Sequence, residues 1–248
     1  MTKSRLDRLL VVFGDIMSIR LEKIASLVKD GVGVADVGTD HGYIPVMLRS
    51  RGYSGNIIAT DINEGPLNKA KISLEEAGFS DSVKLVLCDG LQGCEPDCAD
   101  TIIVAGMGGD TITGIIDRAE WTYKPGIKLI LQPVTKPEIL RYWLVNNSYR
   151  ITDEYLVKEN GTVYQIFCAE IAEPVKYSDA ELYVGKFEKI CDSEHFPEHI
   201  DNHIKRFSSA VDGLKKAERT GLDAWLEINS AVLDELLEMR RCYDDNCK

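Results

Sequence analysis

Residues 33–49, GVADVGTDHGYIPVMLR, constrain this chain more than any other stretch. A short apolar run (Val34, Ala35, Val37) ends in Gly38-Thr39-Asp40-His41-Gly42, and an amphipathic stretch begins at Tyr43. That order predicts a buried parallel strand, a glycine-bearing turn and a helix. In open α/β sheets, ligands bind at such carboxyl ends of strands.

The pattern repeats downstream. Strands are expected at IIATDI (57–62), VKLVLCD (83–89), DTIIVAG (100–106) and IKLILQP (127–133). Helices are expected at 65–78, 108–120 and 136–148, and an amphipathic start covers about 3–30, with Leu6, Leu9, Leu10 and Phe13 on one side. This alternation predicts a mostly parallel sheet with helices on both faces. It then changes. Residues 149–171 read as two strands around Asn160-Gly161, a strong hairpin signal. A parallel sheet ending in an antiparallel hairpin matches, by analogy of fold, the end of a class I methyltransferase sheet.

Pro174 marks a boundary, so the expected domains are 1–174 and a helical 175–248. Ile200, Ile204, Phe207, Val211 and Leu214 recur at helical steps. Leu222, Leu226, Asn229, Leu233, Leu236 and Met239 continue the pattern beyond Gly221. Two heptad-like helices around a glycine turn predict an antiparallel, coiled-coil-like pair. Two readings stand: the stripe covers the sheet domain, or the pair is an arm that grips a macromolecule.

Composition narrows the setting. No apolar stretch approaches a membrane span and the N-terminus lacks a signal-peptide pattern, so a cytoplasmic protein is expected. Seven scattered cysteines suit a reducing compartment. Cys94-x3-Cys98, with Cys88 nearby, reads as ordinary thiols rather than a metal site, and no metal is expected. A net charge of −11, with both parts of the chain acidic, argues on its face against a nucleic-acid partner. Such a partner would require basic residues gathered on one face.

The turns at the strand ends carry the chemistry. Gly38 allows a tight turn, with backbone N–H groups of the next helix behind it. A pyrophosphate-binding turn needs a bare backbone where Asp40 stands. A carboxylate there repels a phosphate and attracts a sulfonium. The turn, including Asp36 and His41, therefore favours S-adenosylmethionine over NAD, although two aspartates in a turn also serve as caps and His41 as a local hydrogen-bonder. Asp61, 23 residues past Gly38 and followed by Ile62, fits a ribose-binding acid; a helix cap is its plainer role. Asp89-Gly90, after the third strand, suits an acceptor for the cofactor's adenine amino group, or a plain turn. Ala105-Gly106-Met107-Gly108-Gly109 leaves the backbone bare where cofactor and substrate meet, and Gln132-Pro133 ends the fifth strand beside it.

The segments ADVGTDHGYIPV, ATDINEGPL, CDGL, IIVAGMGG, LILQP and LRYWL occur in that order. Together they resemble the bacterial tRNA (adenine-22-N1)-methyltransferase family, over most of residues 4–171. The resemblance implies an S-adenosylmethionine-dependent enzyme acting on N1 of adenine 22 in the D-arm of tRNA, with a methyltransferase domain followed by a coiled-coil-like one.

Adenine N1 has a free lone pair, so the reaction asks for positioning and for negative potential along the path of the transferred charge. Asp40 is the catalytic candidate, accepting from the N6 amino group. Gln132, with Pro133, and the backbone at Gly106–Met107 are candidates for holding the base. Phosphate contacts are expected from Arg5 and Arg8, from Lys136 and Arg141, and from Lys205, Arg206, Lys215, Lys216 and Arg219, each equally a solvated surface charge. A monomer is the favoured state. Three rivals share some of these features: a small-molecule methyltransferase using the tail as a lid or dimer interface, a non-catalytic cofactor-sensing or RNA-binding protein, and an NAD enzyme disfavoured by Asp40 and the hairpin.

Overall fold

The computed structural model describes residues 18–96, 98–216 and 221–246. Arg5, Arg8, Arg219 and most of the amphipathic start lie outside the described residues. Of that start, α1 (Ile19–Ser26) is present, capped by Ser18, whose side chain accepts from the Leu21 N–H.

Seven strands form one sheet: β1 (Val34–Val37), β2 (Ile57–Asp61), β3 (Lys84–Leu87), β4 (Thr101–Gly108), β5 (Lys128–Thr135), β6 (Tyr149–Glu159) and β7 (Thr162–Ile171). Their spatial order is β3-β2-β1-β4-β5-β7-β6. The first five pair in parallel; β7 runs antiparallel to both β5 and β6. Asn160 (φ 49°) and Gly161 (φ 78°) form the hairpin turn, both left-handed as a type I′ turn requires.

Between the strands lie α2 (Tyr43–Ser50), α3 (Glu64–Ala77), α4 (Gly109–Asp117) and α5 (Pro137–Asn146). They cover both faces, because successive strand residues point to opposite sides. Val34, Ile103, Ile130 and Ile166 pack with Ile24, Met47 and Leu74 on one face. Ala35, Val37, Ile102, Val104 and Leu129 pack with Ile112, Ile116, Leu140 and Leu144 on the other. Element boundaries shift by a few residues from expectation. One change bears on the cleft: β4 continues through the glycines to Gly108 after a register shift that leaves Gly106 without a partner. This is a β-bulge, which turns the strand end toward the cleft below.

Beyond Pro174 come α6 (Asp179–Val184), α7 (Phe187–Ile190), α8 (Phe196–Lys216) and α9 (Asp223–Asn246). Arg240, late in α9, binds Asp201, early in α8, at 2.9 Å, so the pair is antiparallel. Phe207, Val211, Val232, Leu236 and Met239 fill its seam, in one cluster with Leu156 and Val163 of the hairpin. The pair therefore stands rooted on the sheet.

Candidate active site

The chain order of the sheet reverses between β1 and β4, and a cleft of about 690 Å³ opens at the carboxyl ends of these strands. Gly38, Asp40, Asp61, Ile62, Asp89, Gly90, Ala105, Gly106 and Met107 line it. Four separate turns thus converge on one cavity.

Two glycines shape its floor. Gly38 lies at φ 71°, and a Cβ there would fall 2.1 Å from the Met107 methyl. Gly106 lies at φ 77°, and a Cβ would meet only Arg20 Nη1, at 3.9 Å, so its surroundings are open. Both positions demand a left-handed backbone that glycine alone adopts at low cost. A third glycine, Gly109, starts α4 against the Lys136 carbonyl, which a Cβ would approach to 2.2 Å.

Five carboxylates line the walls: Asp40, Asp61, Asp89, Asp110 and Glu159. Asp61 is 8% exposed and accepts from the Asn63 N–H at 2.9 Å. Asp89 is held by Arg118, whose Nη2 lies 3.0 and 3.2 Å from its two oxygens. Asp110 pairs with Lys136. Asp40 is 59% exposed, with Lys69 Nζ at 4.0 Å and His41 Nε2 at 3.7 Å. An acidic cleft with bare backbone in its floor fits a cationic sulfonium joined to a nucleoside.

Several expected contributors do not line the cleft. Asp36 is buried inside β1, where its carboxylate accepts from Thr39 Oγ1 at 2.6 Å. Burial, with Asp61 nearby, pushes its pKa up to about 6 despite that bond. It pins the turn from behind. His41 has φ 66° and stacks on Tyr43, with ring centroids 5.0 Å apart. Gly108 and Pro133 are not among the residues that line it. Gln132 is fully buried: its Oε1 accepts from Gly106 N–H at 3.1 Å and from Arg20, and its Nε2 donates to the Pro133 carbonyl. It therefore holds the β4 bulge in place, and full burial keeps its amide out of the cleft.

Arg141 is corrected outright. It is 1% exposed, bonded to Glu154 at 2.8 Å, to Gln165 and to the carbonyls of Leu182 and Tyr183. It ties α5 to the sheet and to α6, so it contacts no phosphate. Lys205, Arg206, Lys215 and Lys216 are exposed on α8, away from the cleft lining. The thiol of Cys94 is pushed up to about 12, first by burial and then by Cys98, so it stays protonated.

Ser18, Arg20, Glu159, Asp110 and Arg118 line the cleft without having been expected there. Arg20 reaches Gln132 across 112 positions of sequence, and no local pattern announces such a contact. Arg118 did leave a trace. It follows Gly114 by one helical turn, and a Cβ at Gly114 would crowd its Nη1 to 3.3 Å. Glu159 is pushed up by burial, but bonds from Ser18 and Arg20 more than offset this and leave its pKa lowered.

Sheet order, terminal hairpin and acidic cleft define a class I methyltransferase, and residues 17–167 match the family described as "Methyltransferase domain". The chain is 32% identical to the tRNA (adenine(22)-N(1))-methyltransferase of Bacillus subtilis (strain 168), over 68% of this chain and 71% of that protein. A crystal structure of a putative tRNA (m1A22) methyltransferase from Streptococcus pneumoniae superposes with a TM-score of 0.79, at 28% identity, covering 91% of this chain and 100% of that one. The same Streptococcus pneumoniae protein in complex with S-adenosyl-L-methionine gives 0.74, at 30% identity, covering 88% and 100%. The chain belongs to the tRNA (adenine(22)-N(1))-methyltransferase family.

Proposed function

We infer that this protein methylates N1 of adenine 22 in the D-arm of tRNA, using S-adenosylmethionine. The observation that carries this reading is the cleft itself: five carboxylates around a floor left bare at Gly38 and Gly106. The cofactor supplies a methyl group on a cationic sulfur. Gly38 and the helix behind it make room for its amino-acid end, Asp61 accepts from its ribose hydroxyls, and Asp89, set by Arg118, faces its adenine.

N1 lies on the Watson–Crick edge, so the target adenine has to leave any pair or stack before it enters. The bulge at Gly106, held by Gln132, leaves bare backbone next to the entering base. Asp40 accepts from the N6 amino group and offers negative potential as charge moves from sulfur to the base.

Residues 1–174 serve as the cofactor domain, and the helical part, 175–248, meets the tRNA body through Lys205, Arg206, Lys215 and Lys216 on α8. The protein works as a monomer in the cytoplasm. Among the described residues no helix is long and apolar enough to cross a membrane. Incubation with methyl-labelled S-adenosylmethionine and bulk bacterial tRNA, followed by nucleoside analysis, tests the reading. N1-methyladenosine in the tRNA is the expected product; label confined to small molecules would overturn it.

A further inference from the structure

The two sides of the cleft differ. The ends of β1, β2 and β3 carry Gly38, Asp61 and the Asp89–Arg118 pair. The other side is built from β4 and from the hairpin's Glu159, and Arg20 of α1 reaches across to it. The guanidinium of Arg20 is fixed from three directions. Its Nη1 donates to Gln132 Oε1, the atom that also receives the Gly106 N–H. Its Cζ lies over the Tyr164 ring, 5.2 Å from the centre. Its Nε stands 3.5 Å from Glu159 Oε2 and, though buried, makes no hydrogen bond. Glu159 in turn accepts from the Arg20 backbone N–H at 3.3 Å. None of these bonds uses Nη2.

We propose that Arg20 receives a phosphate of the target nucleotide as its base enters beside Gly106, an assignment that rests on the reading of this enzyme as a tRNA methyltransferase. Three observations carry it. Arg20 borders the open space at Gly106, where a Cβ would lie 3.9 Å from Nη1 and near nothing else. It is one of two cationic side chains among the described residues lining the cleft; Arg118 is hydrogen-bonded to both oxygens of Asp89, whereas the Arg20 side chain stands 3.5 Å from Glu159 without a hydrogen bond to it. An RNA strand entering between five carboxylates needs a cation at that point. Finally, the base itself is a poor partner for a guanidinium. N1 has to keep its lone pair free, and the N6 amino group is a donor, as every guanidinium nitrogen is. A phosphate accepts from the fork without touching the reacting edge. Set over the Tyr164 ring and bonded to Gln132, the fork is held ready before the substrate arrives.

The test is a chemical double-mutant cycle on the full-length protein. Wild type, Arg20→Lys and Arg20→Ala are each assayed on tRNA assembled with the natural backbone. They are assayed again on tRNA carrying a neutral methylphosphonate on the 5′ or the 3′ side of adenosine 22. Cofactor affinity is measured in parallel by calorimetry. Arg20→Ala should lower kcat/KM about 10- to 100-fold, the weight of a charge-assisted bond. Its salt dependence should flatten by about one phosphate contact. Cofactor affinity should stay within about twofold of wild type, which also reports an intact fold. Arg20→Lys should fall between, keeping the charge and losing the fork. One of the two methylphosphonates should cost wild type a similar factor and cost Arg20→Ala almost nothing more. Losses that multiply, or weakened cofactor binding with unchanged use of tRNA, would overturn the assignment and make Arg20 a cofactor or scaffold residue. Failure of wild type to methylate natural tRNA would instead overturn the enzyme reading, and this assignment with it.

Discussion

Asp36 shows how the turn after β1 is held at the cost of stability. Its carboxyl is raised in the folded chain from an ordinary 3.8 to about 6. The folded state therefore binds that proton more tightly than the unfolded one, and stability falls as pH rises from about 4 to 6. Above pH 6 the full cost is on the order of 3 kcal/mol. Asp36→Asn keeps an acceptor for Thr39 without the buried charge. It should unfold at higher urea than wild type at pH 7, by about 1–3 kcal/mol, and match wild type near pH 4. A difference that does not change with pH would contradict this account. Asp40 is the opposite case. At 59% exposure its charge is screened by water and partly offset by Lys69. Such a carboxylate is worth on the order of 1 kcal/mol against a nearby cation. Asp40→Asn should therefore lower kcat by about fivefold at saturating cofactor. Turnover equal to wild type in both Asp40→Asn and Asp40→Ala would remove Asp40 from the mechanism.

At the scale of elements, the alternating strands and helices were readable because buried parallel strands are short apolar runs closed by turn residues. The hairpin was readable through Asn160-Gly161, and α8 through its seam, for the same kind of local reason. What was not readable depends on distant neighbours. Arg141 sits in a helix whose pattern leaves it on either face, and only the fold brings Glu154, Gln165 and two carbonyls of α6 around it. Gln132 was expected near the end of the fifth strand beside the cleft, yet β5 runs on to Thr135 and the bulge at Gly106 uses its amide. Arg141→Ala leaves Glu154, itself 2% exposed in its side chain, as a buried charge without its main partner. Stability measured by denaturant should fall by about 3–5 kcal/mol. A loss below about 1 kcal/mol would mean that the helical part does not depend on this anchor.

At the scale of the whole molecule both parts of the chain are acidic, so an RNA partner has to be met by basic residues gathered locally. Five carboxylates line the cleft, while exposed Lys205, Arg206, Lys215 and Lys216 lie along α8. The helical pair covers the hairpin through Leu156 and Val163, as the first of the two readings of its apolar stripe expects. The central claim is that this cleft acts on one adenine of tRNA. It is tested most directly with two tRNA transcripts that differ only at position 22, adenosine in one and guanosine in the other. Each is incubated with the enzyme and labelled S-adenosylmethionine. The account predicts one methyl group per molecule of the adenosine transcript, recovered as N1-methyladenosine, and none on the guanosine transcript. Equal labelling of both, or labelling of neither, would contradict it.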